Sequence, residues 1–365
     1  MNTPLVKLGD VCEVVYGFPF NAEKFNVEGR GLPLIRIRNV LAGHSETFTD
    51  EPCPSQYHIH AGDILVGMDG DFNIAKWRSG EAVLNQRVCK LVPKESRILP
   101  GYLFHRMKQV LTAIWEKKNF VTVKHLLARD LDAVAFPLPS LAEQERIVAH
   151  LERTLGAIDA MEAKFREMAE TAERHFRATL DESFAALSST PAAKLGDVCE
   201  VRAGANQRAV EDPNGAFPIY GSGGKIGYAN AWRCPANTVL VGRKGTLNNP
   251  MLIPEPLWNI DTAFGLIAFE KVLPAFLHRF CQSVDFEKLV PDSGRPSTTA
   301  TSIRNLDLPL PSLAEQERVV ARLERAEGVS RRVVALAQEG VAQCGVYRRA
   351  VLSEAFGGGE GGGDE

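Results

Sequence analysis

The sequence predicts an α+β chain: two mixed α/β globular regions separated by two long antiparallel helices, the whole laid out as a pseudo-twofold internal repeat. Three observations lead to this reading. Lys7-Leu-Gly-Asp-Val-Cys-Glu-Val14 recurs unchanged as Lys194 to Val201. Pro137-Leu-Pro-Ser-Leu-Ala-Glu-Gln-Glu-Arg146 recurs unchanged as Pro309 to Arg318. Each copy of the second motif opens a long helical pattern, and after the first copy the apolar residues follow steps of three and four throughout, the period of a helix face. The chain therefore divides into residues 1–137, a first globular region; 138–190, a first helix; 191–309, a second globular region; 310–356, a second helix; and 357–365, glycine and acid only, where disorder is expected.

The first globular region reads as strands and loops with one late helix. Leu34-Ile-Arg-Ile-Arg38, Asp63 to Gly67 and Val88 to Val92 are strand candidates, and Tyr102 to Trp115 has helical periodicity. Gly67-Met-Asp-Gly-Asp-Phe-Asn73 is rich in turn formers and reads as a loop between strands. In the second region Phe217 to Tyr220, Thr238 to Gly242 and Leu266 to Phe269 read as strands, and Pro274 to Phe286 as the late helix. Gly221-Ser-Gly-Gly-Lys-Ile-Gly227 and Gly242-Arg-Lys-Gly245 read as loops.

Each helix begins with a serine followed three residues later by glutamate: Ser140 with Glu143, and Ser312 with Glu315. That spacing is a capping box, in which the hydroxyl takes one orphan amide and the carboxylate reaches back to another. The first helix carries Ile147, Leu151, Leu155, Ile158, Met161, Phe165, Met168, Ala172, Phe176, Leu180, Phe184 and Leu187 on one stripe, over roughly 65 to 70 Å at 1.5 Å per residue. The second carries Val320, Leu323, Val333, Leu336, Cys344, Tyr347, Val351 and Leu352, interrupted by Gly328, Gly340 and Gly345, which weaken a helix. Neither stripe can be hidden by one helix alone, so the two are expected to pair as an antiparallel coiled coil.

Composition narrows the function. With 365 residues, 45% hydrophobic and 24% charged, the chain has material for more than one core. It shows no membrane-length apolar run and no secretory signal at its start. Seven scattered cysteines without a C-x-x-C pair argue against a disulfide framework or a zinc site and fit a reducing cytoplasm. The net charge of −3 is unevenly spread: residues 1–136 and 191–308 carry +2 and +1, the helical stretches 137–190 and 309–365 carry −4 and −2. Mildly basic globular parts are compatible with nucleic acid.

No catalytic set is present. Gly221-Ser-Gly-Gly-Lys225 resembles a phosphate loop only superficially, because Ile219 and Ile226 stand where the Walker pattern needs glycine and a hydroxyl residue. His58-x-His60 lacks a third ligand at metal-site spacing. Groups suited to base edges are better supplied: Arg36, Arg38, Asn39, Asp71, Asn73, Lys76, Arg78, Gln86, Arg87 and Lys124 in the first region, and Tyr220, Ser222, Lys225, Arg243, Lys244, Asn248 and Arg295 in the second.

The repeated L-G-D-V opener, the repeated P-L-P-S-L-A-E-Q-E-R motif and the long helix after it resemble the specificity subunit of type I restriction–modification systems. Gly67-Met-Asp-Gly-Asp-Phe with Leu84-Asn-Gln-Arg87 is similar to one class of target recognition domain. Tyr220-Gly-Ser-Gly-Gly with Val241-Gly-Arg-Lys-Gly-Thr246 and Asp261-Thr-Ala-Phe264 is similar to another. The resemblance implies two target recognition domains, each reading half of a bipartite duplex DNA target. It also implies a spacer and partner-binding face on the helices, where Glu143, Gln144, Arg146, Glu315, Gln316 and Arg318 lie. The implied partners are two adenine methyltransferase subunits, which hold S-adenosylmethionine, and a restriction–translocase subunit; this chain itself would bind no cofactor or metal and catalyse nothing. A reader subunit of a related type II enzyme and a coiled-coil adaptor without DNA contact are the alternatives.

Overall fold

In the computed structural model, which describes residues 4–117, 125–290 and 297–356, both globular regions are assembled on the same frame. Each contains a four-stranded antiparallel sheet of identical topology. In the first the order is Cys12–Tyr16, Val88–Pro93, Ile64–Gly67, Ile74–Lys76; in the second it is Cys199–Ala203, Ala263–Ala268, Thr238–Gly242, Met251–Ile253. The registers coincide as well: Val88 faces Gly67 as Ala263 faces Gly242. Ile64–Gly67, Thr238–Gly242 and Ala263–Ala268 are rich in β-branched and aliphatic residues and are buried along most of their length.

A two-stranded clip closes each region. Leu5–Lys7 pairs with Ala135–Pro137, and Ala192–Lys194 pairs with Asp307–Pro309, in matching register. The clip explains why two distant motifs are duplicated together: the start of each opener is hydrogen-bonded to the segment that leads into each helix cap.

The other sheets differ. The first region adds a five-stranded mixed sheet that includes Leu32–Ile35 and Ala82–Leu84, whereas the second adds three strands, Gly224–Ala229, Phe217–Gly221 and Trp258–Asn259. Two sequence expectations are corrected here. The strand expected over Leu34–Arg38 stops at Ile35 and turns into a short helix, Ile37–Ala42. The Asn39 side chain takes the Arg36 amide, and Gly43, at φ 75°, ends the helix, so local hydrogen bonding overrides the alternating pattern. Most of Gly221–Gly227 is hairpin rather than loop: the strand Gly224–Ala229 folds back on Phe217–Gly221.

The late helices are Pro100–Lys117 and Pro274–Ser283, and the long ones are Leu141–Ala185 and Leu313–Phe356, of 45 and 44 residues. Both long helices start as half a capping box. The Glu143 and Glu315 amides donate to the Ser140 and Ser312 hydroxyls, but the carboxylates turn forward to Arg146 and Arg318 instead of back.

By internal contacts the chain forms two units: residues 1–162 with 342–365, and residues 163–341. In the first unit, Arg348 of the second long helix holds Asp159 and Glu162 of the first, and Phe356 stacks edge-on against Tyr102. In the second unit the two long helices run in opposite directions: Phe165 lies against Gly340, the Ser330 hydroxyl donates to Ala172 O, and Arg322 pairs with Glu182. Gly340 therefore seats an aromatic ring, and the helix runs through all three glycines unbroken. The apolar stripes are only partly covered. Leu151, Leu155, Leu180 and Leu323 are buried, while Met161, Met168, Leu336 and Tyr347 are exposed; Ala337 is buried next to the exposed Leu336.

Candidate nucleic-acid interface

The candidate recognition residues mostly gather at one end of each four-stranded sheet, on three loops whose counterparts correspond between the two regions. The first follows the strand ends Ile35 and Tyr220: Asn85 donates its amide to Ile35 O as Ile260 does to Tyr220 O. The second leaves Gly67 or Gly242, and the third leads into Val88 or Ala263. These last two are joined by Met68 N–H to Arg87 O in the first region and Arg243 N–H to Thr262 O in the second. A further strand segment then closes over the second loop, with Leu126 N–H donating to Met68 O and Thr298 N–H to Arg243 O. These backbone bonds that join the loops therefore correspond between the two regions, while the side chains do not.

In the first region this end carries Arg36, Asp71, Asn73, Gln86 and Arg87. Arg38, Asp71, Gln86 and Arg87 are exposed. Arg36 donates to the Thr47 hydroxyl and burial lowers its pKa, so it braces the loop. Asp69, which the sequence reading did not single out, links the second and third loops. It receives His125 Nδ1 at 2.6 Å and pairs with Arg87 at 3.7 Å. Beneath lies a cavity of about 410 Å³ lined by Tyr16, Met68, Gln86 and Leu126 among others.

In the second region the same end carries Tyr220, Ser222, Arg243 and Lys244. The Ser222 hydroxyl donates to Lys244 O at 2.7 Å and its amide meets the Thr262 hydroxyl, tying the three loops together. Arg243 lies over the Phe264 ring, and Lys244 pairs with Asp261 at 3.8 Å. Lys225 projects from the hairpin over the Tyr228 ring at 3.8 Å, and its pKa is raised by that side-chain contact.

Other candidates are placed elsewhere or occupied. Asn39 is buried, its amide given to the Arg36 N–H and His44 O, so it shapes the turn and offers nothing outward. Lys76 lies opposite Ile64, at the far end of the strand from Gly67, above the Phe104 ring; Arg78 donates to Leu41 O. Asn248 is engaged on both sides, by Asp285 and by the Phe286 amide. Lys124 and Arg295 lie outside the described residues.

Gln144 and Gln316, expected on the partner-binding face, are fully buried. Each amide bridges the helix start to the segment before the late helix: Gln144 to Arg97 O, Pro139 O and the Leu99 N–H, and Gln316 to Lys271 O, Pro311 O and the Leu273 N–H. They are clamps internal to each unit. Glu143, Arg146, Glu315 and Arg318 remain at the surface as matching ion pairs.

One close approach also escaped the sequence reading. Gly17 and Gly204 sit just past the opener strands, where a Cβ would collide with the carbonyls of Asn85 and Ile260, so the backbone of the third loop lies directly on them. Among the described residues no group of three His, Cys, Asp or Glu is arranged to hold a metal ion, and the seven cysteines are free thiols, six of them buried. No helix among the described residues is long and apolar enough to cross a membrane.

Residues 3–168 and 192–329 match the type I restriction modification DNA specificity domain, one copy per framed half. The chain belongs to this family. The specificity subunit of the type I restriction enzyme EcoBI from Escherichia coli is 38% identical over 175 residues, which are 48% of this chain and 37% of that protein. The EcoKI specificity subunit from Escherichia coli (strain K12) is 24% identical over 161 residues, 41% of this chain and 35% of that one. The chain thus matches little more than a third of the length of these curated relatives. A chain from a structure described as showing complex assembly and conformational transition of a type I R-M system superposes with a TM-score of 0.77 at 19% identity, over 98% of this chain and 100% of that one. The HsdS subunit from Thermoanaerobacter tengcongensis gives 0.54 at 18% identity, over 98% and 97%. At such identities these likenesses speak for the fold alone.

Proposed function

We propose that this chain is the non-catalytic DNA-reading subunit of a type I restriction–modification complex. Residues 1–137 and 191–309 are its target recognition domains, each reading one half of a bipartite duplex target. The observation that carries this reading is the correspondence of the two sheet ends: the same backbone bonds present different polar side chains, as two readers of different half-sites require. The helical stretches 138–190 and 310–356 act as a spacer, an antiparallel coiled coil whose length sets the number of unread base pairs between half-sites; the opposed contacts in the second unit support that pairing.

Two adenine methyltransferase subunits, which carry S-adenosylmethionine, dock on the matching surfaces around Glu143–Arg146 and Glu315–Arg318, and a restriction–translocase subunit joins them in the cytoplasm. The duplication itself supports two identical partners, since it offers two like surfaces.

The test is genome-wide mapping of adenine methylation. Removing one helical turn from both long helices is expected to change the spacing between the methylated half-sites and leave their sequences intact. Altered half-site sequences with unchanged spacing would overturn the assignment of the helices as the spacer. Methylation that is unaffected by loss of the chain would overturn the whole reading.

A further inference from the structure

The second and third loops carry an ion pair in both regions, but with the charges exchanged. Counting from the shared register, Val88 with Gly67 and Ala263 with Gly242, Asp69 corresponds to Lys244, and Gln86-Arg87 correspond to Asp261-Thr262. Further bonds agree with this alignment: Asp69 bridges to His125 as Lys244 does to Ser297, and Val88 N–H donates to Asn85 O as Ala263 N–H does to Ile260 O. In the first region the acid is on the second loop and the base on the third; in the second region the base is on the second loop and the acid on the third.

The first pair is also graded by depth. The Asp69 side chain is 19% exposed and is gripped by His125, whereas Arg87 is 61% exposed. The carboxylate is anchored and the guanidinium projects. The Arg87–Asp69 distance of 3.7 Å is longer than a hydrogen bond, so the fork is oriented without its donors being consumed.

We propose that Arg87 is a specificity-determining residue that reads a guanine in one half-site, and that Asp69, held by His125, is the positioning residue that aims it. A guanidinium fork matches the O6 and N7 acceptors of guanine in the major groove, and a fixed carboxylate behind it lowers the cost of ordering a long side chain. In the other region the exchanged pair puts the opposite chemistry one residue earlier on the same loop: the exposed Asp261, which corresponds to Gln86, accepts from the N4 amino group of cytosine, with Lys244 beside it as a point charge. The two domains thus differ by a reversal of charge between the same two loops, with the reading side chain displaced by one residue along the third loop. This inference rests on the chain being a DNA reader.

The experiment is selection of bound duplexes from a library randomised in both half-sites, using the full chain with its methyltransferase partner. Arg87→Ala is expected to abolish the guanine preference at one position of one half-site, lowering affinity for that sequence about ten- to a hundredfold. Arg87→Lys keeps the charge and should still lose the preference, and Asp69→Asn should relax the same position more mildly. Asp261→Asn should relax one position in the other half-site only. The unaltered half-site in each variant serves as an internal control for folding. A uniform loss across all sequences, with a shallower salt dependence, would mean Arg87 binds phosphate and would overturn the proposal, as would an unchanged preference. In either case a selective wild type leaves the DNA-reading function standing. A wild type that selects no sequence at all would remove that function and the proposal with it.

Discussion

The two globular regions are one frame furnished in two ways, and the division between constant and variable parts follows the division between backbone and side chain. The clip, the four-stranded sheet and the hydrogen bonds that join the three loops use main-chain groups, which every residue but proline supplies. The side chains on those loops tie them in a different way in each region and diverge: Gln86-Arg87 against Asp261-Thr262, Asp69 against Lys244.

The interior shows a second contrast. Taking Leu99 and Leu273 as equivalent, since each receives the clamp glutamine, His105 corresponds to Arg279, and by the same frame Leu155 to Glu327. In the second unit Arg279 and Glu327 form a buried ion pair at 2.8 Å. Burial opposes the charge on Glu327, but its hydrogen bonds with Arg279 and Arg331 prevail and lower its pKa. In the first unit the same place holds Leu155 and a buried, neutral His105, whose Nδ1 has no hydrogen-bond partner among the described residues.

The largest effect that would sharpen this contrast lies at that ion pair. Glu327→Ala leaves Arg279 buried without its carboxylate and is expected to cost about 3–5 kcal/mol, read as a lowered urea midpoint, whereas Leu155→Ala in the first unit leaves no charge unpaired. Next come the clamps, which test the likeness of the frames. Gln144→Ala and Gln316→Ala each strand the same three backbone groups, so each is expected to cost about 2–3 kcal/mol, and by similar amounts. Urea denaturation of each variant measures the two losses. A clear inequality would break the idea of one frame used twice.

Another effect concerns pH. Burial, with help from Lys76 and Lys108, lowers the His105 pKa to about 4, although Glu152 and Asp159 line the same cavity. Between the unfolded value of about 6.5 and the folded value the unfolded chain binds more protons, so stability falls as pH falls through that window. His105→Phe should flatten the dependence of the urea midpoint on pH from 6.5 to 4. An unchanged slope would mean that His105 does not drive it.

Much of the scaffold was legible because its signals are local. Helical steps of three and four, a serine before glutamate and alternating strand residues each report on a few neighbouring positions. The candidate residues were less legible, because whether an amide or guanidinium faces outward depends on partners far along the chain. Gln144 meets groups 45 and 47 residues away, Asn248 meets Asp285, and Asp69 gained its place only through His125 and Arg87. Gly17 and Gly204 gave one overlooked signal: both stand at the same step after the duplicated opener.

The sequence by itself determined that there are two framed halves, where each long helix starts, and which residue types are on offer for recognition. Local propensity and exact repetition suffice for that. Only the tertiary structure decided which of those residues share an end of the sheet, which are spent inside, and that two loops face each other with exchanged charges. Those facts depend on strand register and on hydrogen bonds between distant segments, and register is set by the packing of the whole sheet.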